Sequence, residues 1–288
     1  MATLTQAITK ESTAGEALCG RPGGADRATR FRPAGSGTWR PRRRTMGSMA
    51  RFLVVLSAAD HWTLSDGTAH PTGYWAEEFV VPYRTFRDAG LDVELATPGG
   101  IPPTVDLVSL QPDRAGGAER AAQLRAELDE LSGELARPRA LEDVGDDGLD
   151  AVFLPGGHAP MEDLPGCAPL GRLLTALHDS GRLVSAVCHG PAGLLSAARA
   201  DGTWLFAGRR MTAFSDEEER QAGLADRAPW LLETTLRQRG GDVVVSTPWL
   251  PHVVTDGNLV TGQNPASSGP TATSVMEALG AGVRQPSE

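Results

Sequence analysis

The chain has 288 residues, of which 40% are apolar and 22% are charged, and its formal net charge at pH 7 is −9. This balance is ordinary for a globular protein and gives no reason to expect a nucleic acid or an anionic membrane as a partner. Only two of its three cysteines, Cys167 and Cys188, fall in the part predicted to fold, which is too few for a disulfide framework or a cysteine zinc cluster. We therefore expect a cytoplasmic protein that binds neither nucleic acid nor membrane.

The first 48 residues differ in composition from the rest. Residues 1–49 hold nine Lys or Arg against three Asp or Glu, and few large apolar side chains. Such a segment buries too little surface to offset its ordering entropy, so we predict a disordered basic extension over 1–48, or a start assigned upstream of Met46 or Met49. A signal peptide is the alternative, but its apolar core would be only about eight residues long. We predict one catalytic domain over 49–284.

Strand-like and helix-like segments alternate along this domain. Short apolar, β-branched runs predict buried strands at 51–58, 91–100, 149–157, 182–187, 209–214 and 242–247, and Asp256-Gly257 predicts a hairpin over 252–262. Apolar spacing and propensity predict helices at 74–90, 117–138, 170–181, 190–200, 224–241 and 264–280. Pro82 predicts a kink or a break in the first helix. The alternation predicts an α/β fold with a mostly parallel central sheet.

Three segments bring polar or glycine-rich residues to the carboxyl ends of predicted strands, where the sites of parallel sheets gather. They are PGGHAPMEDL (155–164), CHGPAG (188–193) and FSDEEE (214–219). The second segment follows a buried strand and precedes a predicted helix. A reactive group at this turn would stand above the sheet.

Cys188 occupies that turn. The free N–H groups and the dipole of the following helix predict a lowered pKa for its thiol. Gly190 would relieve crowding, and Pro191 suits a first helical turn. A buried structural cysteine is the alternative, but the turn, the helix and the adjacent His189 favour a nucleophile. His189 would act as its base if the ring folded back to the sulfur and a third group oriented it.

Backbone N–H groups of His189 and Gly157 are the predicted donors to an oxyanion. His158 and Asp216 are candidates for lining the pocket beside them. His61 and His70 are candidate metal ligands, but spacing supplies no third ligand, so we assign no metal. The sequence has no phosphate-binding GxGxxG or P-loop pattern, and we predict no cofactor.

FLPGGHAPMEDL (153–164) and AVCHGP (186–191) together resemble the ThiJ/PfpI superfamily, whose fold is similar to class I glutamine amidotransferases. The resemblance is strongest to the branch of heat-shock chaperones and glyoxalase III, and it extends from residue 51 to about 280, including TAHPTGYWAEEF and VVTDGNLVTGQNPASSGPTA. It implies a flavodoxin-like three-layer sandwich. It also implies that Cys188 is the nucleophile, with His189 beside it.

The resemblance implies a protonated glutamate in contact with the cysteine. The spacing T-G-x-x-x-x-E, counted from Thr72 and Gly73, puts this glutamate at Glu78. Adjacent helical residues diverge by about 100°, so we expect Glu77 to face elsewhere.

The resemblance further implies an acid that orients the histidine, five residues after Phe214. This residue is Glu219, with Asp216 as the alternative. The remaining acidic residues of the run are expected at a solvated helix start, where carboxylates are favoured.

The function implied is that of a glutathione-independent glyoxalase III, a lyase that converts methylglyoxal to lactate. Its partners would be a small aldehyde substrate and a second copy of the chain. The alternatives are a stress-response holding chaperone or redox sensor, a protein deglycase, and a cysteine amidase or peptidase of the same superfamily. A glutaminase is disfavoured because His252, the only histidine beyond the adjacent Cys188 and His189, has no glutamate two residues on.

Overall fold

The computed structural model describes residues 50–280, and our predictions for residues 1–48 and 281–284 lie outside the described residues. The strands are β1 Arg51–Val55, β2 His61–Thr63, β3 Ala69–Pro71, β4 Asp92–Thr97, β5 Arg139–Ala140, β6 Leu149–Leu154, β7 Leu183–Val187, β8 Arg210–Met211, β9 Asp242–Val243, β10 Val253–Asp256 and β11 Leu259–Gly262. The α-helices are α1 Ala76–Asp88, α2 Pro112–Ala115, α3 Ala118–Glu130, α4 Ser132–Leu135, α5 Pro160–Asp163, α6 Ala168–Asp179, α7 Asp216–Ala222, α8 Leu232–Gln238 and α9 Ser268–Ala278. Short 3-10 helices lie at Pro98–Gly100, Leu107–Leu110, Leu141–Asp143, Gly190–Ser196 and Pro265–Ser267.

A seven-stranded sheet runs through the centre in the order β10-β11-β7-β6-β1-β4-β5. Its neighbouring strands are parallel except for the β10–β11 hairpin at one edge. In the middle of the sheet, Val54 of β1 lies opposite Leu95 of β4 and Phe153 of β6. The predictions of a mostly parallel central sheet and of the hairpin are confirmed.

The core lies on both faces of this sheet. Successive strand residues point to opposite faces, so Phe52 and Val54 pack on the side of α1, α3 and α9, while Leu53 and Val55 pack on the side of α6 and α8. Burying each such side chain contributes roughly 1.5–3 kcal/mol, which fixes the register of β1 against a slip that would exchange the two faces. The three layers are those of the flavodoxin-like sandwich that the resemblance implied.

The first helix, α1, runs without a break through Pro82. The predicted break is therefore wrong, and the kink stays a prediction. Phe79, Tyr83 and Phe86 are buried on both sides of the proline, so the core holds both parts of the helix. At the N-terminal end of α1, packing also buries Glu78 completely.

The segment 190–200 is a 3-10 helix over Gly190–Ser196 and not the predicted α-helix. Two glycines and a proline give it a low α-helix propensity. It also packs very closely on the sheet, because a Cβ at Gly190 would stand 2.0 Å from the carbonyl oxygen of Leu154. The turn that carries Cys188 thus leads into a tight, short helix.

Three further predictions differ from the structure. The helix predicted over 224–241 is reduced to α8, because Pro229 excludes the segment before it from a continuous helix. The strands predicted at 209–214 and 242–247 retain two residues each, and β8 and β9 pair in a small sheet of their own. The segment predicted as a loop after β1 contains the β2–β3 hairpin.

Within residues 50–280, no helix combines the length and the apolar character needed to cross a membrane.

Candidate active site

Cys188 lies directly after β7, at the turn into the 3-10 helix Gly190–Ser196. Its φ is +59°, in the left-handed region that residues other than glycine rarely adopt. Two backbone hydrogen bonds hold it there: its N–H donates to the Gly262 carbonyl, and its own carbonyl accepts from the Phe214 N–H, both at 2.9 Å. The main chain therefore fixes the direction of this side chain, and strain of this kind is typical of functional turns.

Glycines let the main chain close around the sulfur. A Cβ on Gly156 would lie 2.6 Å from both Glu78 Oε2 and the backbone nitrogen of His189. Gly157 has a φ of +86°, and a Cβ there would lie 2.2 Å from the Gly73 carbonyl oxygen. The Gly157 backbone N–H acts to lower the pKa of the Cys188 thiol. This donor is one of the two that we predicted for an oxyanion.

The His189 ring folds back onto the sulfur. Its Nδ1 lies 3.4 Å from Cys188 Sγ, and its Nε2 lies 2.7 Å from Glu219 Oε2. Since Nε2–H donates to the carboxylate, Nδ1 is the nitrogen left to accept a proton from the sulfur. Burial lowers the pKa of His189, and charge on His158 lowers it further, while Glu219 raises it. The ring is therefore a neutral base at pH 7.

Glu219 is held by the start of α7. Ser215 caps this helix and forms a capping box with Glu218, which fixes the direction of the next side chain, Glu219. Burial alone would raise the pKa of Glu219, but His158 and His189 outweigh burial and hold the pKa well below its ordinary value. The carboxylate is ionised at neutral pH.

Asp216 does not take part in this arrangement. Its carboxylate accepts hydrogen bonds from the backbone N–H and the hydroxyl of Thr234, and it does not line the cavity above the sulfur. Asp216 therefore ties α7 to α8. The structure supports Asp216 neither as the acid that orients His189 nor as a pocket residue.

Glu78 lies on the other side of the sulfur, completely buried. Its Oε2 accepts the Gly156 N–H at 2.9 Å, and Oε1 has no nitrogen or oxygen partner among the described residues. Burial raises the pKa of Glu78 well above its ordinary value, although hydrogen bonds with Cys188 and Gly156 act against burial. Because Oε2 already accepts, a proton on this carboxyl belongs on Oε1.

The thiol of Cys188 does not have the lowered pKa that we predicted. Burial raises its pKa well above the ordinary value, and negative charge on Glu78 raises it further. The seven-residue 3-10 helix that follows is a poor source of a helix dipole, so it does not outweigh burial. Each charge disfavours the other, so Cys188 and Glu78 together carry at most one negative charge near neutral pH.

A cavity of about 790 Å³ opens above the sulfur. Its floor and nearest walls include Gly157, His158, Cys188 and His189. His158 also lies 2.9 Å from Glu219, through its Nε2 and Oε1.

Glu77 also lines the cavity, so the expectation that it faces elsewhere is wrong. Burial raises the pKa of Glu77, and Arg120, whose Nε lies 3.8 Å from Glu77 Oε1, acts in the opposite direction. The 100° step between neighbouring helical residues separates Glu77 from Glu78. It does not remove Glu77 from the site, because the cavity extends around the end of α1.

His61 and His70 do not form a metal site. In the β2–β3 hairpin His70 is paired with Trp62, and His61 with Pro71, so the two histidines point to opposite faces. His61 instead bonds Asp60 at 2.7 Å. The residues the structure describes contain one group of three possible metal ligands whose donor atoms lie within 4.8 Å of one another, namely His158, His189 and Glu219. The two Nε2 atoms of that group each lie at hydrogen-bond distance from one oxygen of Glu219, an arrangement suited to orienting a base.

Several residues that shape the site are not among those predicted from the sequence. Gly156 supplies the donor to Glu78, and Trp62 stacks under the His158 ring. Glu218 holds the helix start that carries Glu219, and the pattern Ser215-x-x-Glu218 could have revealed it as a capping box. The position of Trp62 had no signal in the sequence, since its hairpin was not predicted.

Comparisons with known proteins find similar sequences and a similar fold. A family profile described as the DJ-1/PfpI family matches residues 71–278. Glyoxalase 3 of Candida albicans is 30% identical over 80% of this chain and 99% of its own length, and the glutathione-independent glyoxalase HSP31 of Saccharomyces cerevisiae is 30% identical over 80% and 98%. The crystal structure of glyoxalase III from Candida albicans is similar with a TM-score of 0.70 and 29% identity, over 80% of this chain and 97% of that one.

Proposed function

Because this chain belongs to the DJ-1/PfpI family, we propose that it is a glutathione-independent glyoxalase, an enzyme that converts methylglyoxal and related 2-oxoaldehydes to 2-hydroxy acids. The observation that carries the proposal is the hydrogen-bonded row from Cys188 through His189 to Glu219 at the floor of a cavity, with a buried carboxyl at Glu78. Such a row can activate a sulfur nucleophile and move a proton without a cofactor.

In the first step the sulfur attacks the aldehyde carbon. His189 Nδ1 takes the thiol proton as the new carbon–sulfur bond forms, and then returns it to the aldehyde oxygen, giving a hemithioacetal. General-base activation is needed because burial keeps the thiol protonated. The proton held by Glu78 remains on that carboxyl, so the single negative charge of the pair develops on the sulfur.

In the second step a proton moves between the two carbons. His189 removes it from the former aldehyde carbon, and in the enediolate that forms the hydroxyl proton passes to the neighbouring oxygen. His189 then delivers the first proton to the neighbouring carbon as the carbonyl of the thioester forms. The charge that develops on oxygen would be stabilised by the Gly157 and His189 N–H groups, which require no reorganisation because they belong to the main chain. The product of this step is a thioester of the 2-hydroxy acid with Cys188.

In the third step water cleaves the thioester. The acid leaves, and the sulfur regains its proton from His189. The overall change is the addition of one water to the 2-oxoaldehyde, so no oxidant or reductant is consumed. Glu219 remains ionised throughout and stabilises the imidazolium that forms in each proton transfer.

The test is lactate formation from methylglyoxal by purified full-length protein in the absence of glutathione. We expect turnover by the wild type and its loss in Cys188→Ala. The matched control is Cys167→Ala, because Cys167 is a half-buried cysteine at the start of α6 that does not line the cavity. Equal turnover by wild type and Cys188→Ala would refute the assignment of the nucleophile.

The substrate panel should include larger 2-oxoaldehydes such as phenylglyoxal, because a cavity of about 790 Å³ exceeds the size of a three-carbon aldehyde. Absence of turnover with every member of the panel, in protein shown to be folded, would refute the glyoxalase proposal itself.

A further inference from the structure

His158 is bound to the same carboxylate as the proposed base. Its Nε2 lies 2.9 Å from Glu219 Oε1, while His189 Nε2 lies 2.7 Å from Glu219 Oε2. The centroids of the two imidazoles are 4.2 Å apart. One carboxylate therefore serves two histidines, one through each oxygen.

The surroundings of His158 fix its ring. It stacks on Trp62 of β2, with centroids 5.2 Å apart and an interplanar angle of 16°, and its edge meets Phe214. The side chain is only 12% exposed, yet it lines the cavity. A ring held this firmly can hold Glu219 in turn, since its hydrogen bond removes one rotational freedom of the carboxylate.

We propose that His158 is a positioning residue that aligns Glu219 on His189 and limits how strongly that carboxylate holds a proton on His189. The inference rests on the proposed function for its consequence in catalysis, but the interaction itself belongs to the folded protein. A second donor on Glu219 draws part of its charge toward Oε1, which weakens its attraction for the His189 proton. Any positive charge on His158 acts in the same direction through repulsion across 4.2 Å.

The other charged groups around the two rings do not replace this effect. Glu218, beside Glu219 on α7, favours charge on His189, and its oxygens are engaged by Ser215 and Asn264. On the remaining sides, His189 faces Cys188 with Glu78 behind it, and His158 faces His70 of β3. Burial and His158 lower the pKa of His189, in the direction that the shared carboxylate requires.

Two variants separate the contributions. His158→Gln keeps an N–H donor near Oε1 and removes the titratable charge. His158→Phe keeps a ring on Trp62 and removes both the donor and the charge. The control is His61→Gln, because His61 pairs with Asp60 and does not line the cavity.

The measurement is an NMR pH titration of full-length protein labelled with ¹⁵N-histidine, in which the His189 signal is identified by its loss in His189→Ala. We expect the His189 midpoint to move upward in His158→Gln, to move further upward in His158→Phe, and to stay unchanged in His61→Gln. The acid limb of kcat/KM should move to higher pH by the same amount. A shift of one unit lowers kcat/KM about tenfold at a pH below both midpoints.

An unchanged or lower His189 midpoint in both folded His158 variants would overturn the inference, and a uniform loss of activity without a change in the pH profile would reduce His158 to a packing residue. If the phenylalanine variant does not fold, the glutamine variant decides. An upward shift in a protein that turns over no 2-oxoaldehyde would uphold the inference and refute the proposed function. Turnover of a 2-oxoaldehyde without an upward shift of the His189 midpoint would uphold the proposed function and refute the inference.

Discussion

Two buried glutamates stand at the two ends of the Cys188–His189 pair, Glu78 at the sulfur and Glu219 at the imidazole. Their exposed fractions are 0% and 3%, so burial penalises the charge of both. Glu78 receives one backbone N–H and has a thiol beside it, and its pKa is raised. Glu219 receives two imidazoles, and its pKa is lowered.

The difference shows that the partners of a buried carboxyl decide its charge, and that depth alone does not. One end of the site keeps a proton and the other keeps a charge, which gives the site an acid and an ion with the same side chain. The sulfur and the imidazole between them can then exchange a proton without either glutamate changing its state. Replacing either glutamate by its amide abolishes this difference in charge.

The largest effect is expected when the charged end is made neutral. In Glu219→Gln the amide cannot stabilise an imidazolium, and its NH₂ group can turn the His189 tautomer around. We expect kcat/KM to fall by about 10³–10⁴-fold, as when the acid of a catalytic triad is replaced by its amide. Steady-state lactate formation from methylglyoxal measures the loss.

The matched control is Glu217→Gln on the same helix. Glu217 pairs with Arg220 and Gln221 at the surface, so its change should leave kcat/KM within about twofold. A comparable loss in both variants would mean that α7 had been disturbed and that the carboxylate of Glu219 had not been tested.

A smaller loss is expected when Glu78, the protonated carboxyl beside the sulfur, is replaced by an amide that cannot ionise. Glu78→Gln keeps a donor beside the sulfur, so we expect kcat/KM to fall about 10- to 100-fold, and further in Glu78→Ala.

In the wild type, activity should fall on the acid side as His189 gains a proton. This should occur below the ordinary pKa of histidine, because burial lowers the pKa of His189. Activity should fall on the alkaline side as Glu78 loses its proton. This should occur above the ordinary pKa of glutamate, because burial raises the pKa of Glu78.

The pH profile of Glu78→Gln decides this point. The amide cannot titrate, so the alkaline limb should disappear or move to the ionisation of the thiol, while the acid limb stays in place. An alkaline limb at the wild-type position would assign that limb to a group other than Glu78.

The two ends should affect stability with opposite signs. The pKa of Glu78 is raised on folding, so its contribution to stability is complete below its unfolded pKa and is lost as pH rises through the folded pKa. The pKa of Glu219 is lowered, so its contribution is present above its unfolded pKa and is lost as pH falls through the folded pKa. Relative to wild type, Glu78→Gln should therefore gain stability as pH rises from 4 to 8, and Glu219→Gln should be less stable at pH 7 than at pH 3.

Thermal unfolding across this range measures both differences. About 1 kcal/mol corresponds to roughly 2–4 °C in Tm for a domain of this size. If the two differences from wild type changed in the same direction as pH rises, the comparison between the two carboxyls would be contradicted.

The smallest effect on activity is expected at Asp216. In Asp216→Asn the hydrogen bonds to Thr234 weaken, and the row from Cys188 to Glu219 is not touched. We expect kcat/KM within about twofold of wild type and a Tm lower by a few degrees. A loss as large as that of Glu219→Gln would restore Asp216 as the acid that orients His189.

The sequence predicted the central strands well because buried parallel strands are continuous apolar runs. It failed where packing decided the local structure. Residues 190–200 contain alanines and leucines that favour an α-helix, but two glycines, a proline and the close approach of Gly190 to Leu154 favour the 3-10 helix that forms. The same close packing raises the pKa of Cys188, and burial of this kind cannot be read from a motif.

The choice between Asp216 and Glu219 shows a similar limit. The two residues are three apart, so both lie on one helical face and spacing cannot separate them. Their roles depend on where α7 begins. Once Ser215 is the cap and Glu218 closes the capping box, Glu219 is directed at the histidines and Asp216 at Thr234.

The glycines around the sulfur have a consequence for the diversification of this enzyme. At Gly156, Gly157 and Gly190 a Cβ would come within 2.6 Å of neighbouring atoms, so the main chain accepts no side chain at these three positions. We therefore expect changes of substrate range at lining positions that carry exposed side chains, such as Val108 and Trp249. A library that varies such positions and leaves the three glycines intact should yield altered specificity far more often than one spread evenly over the cavity.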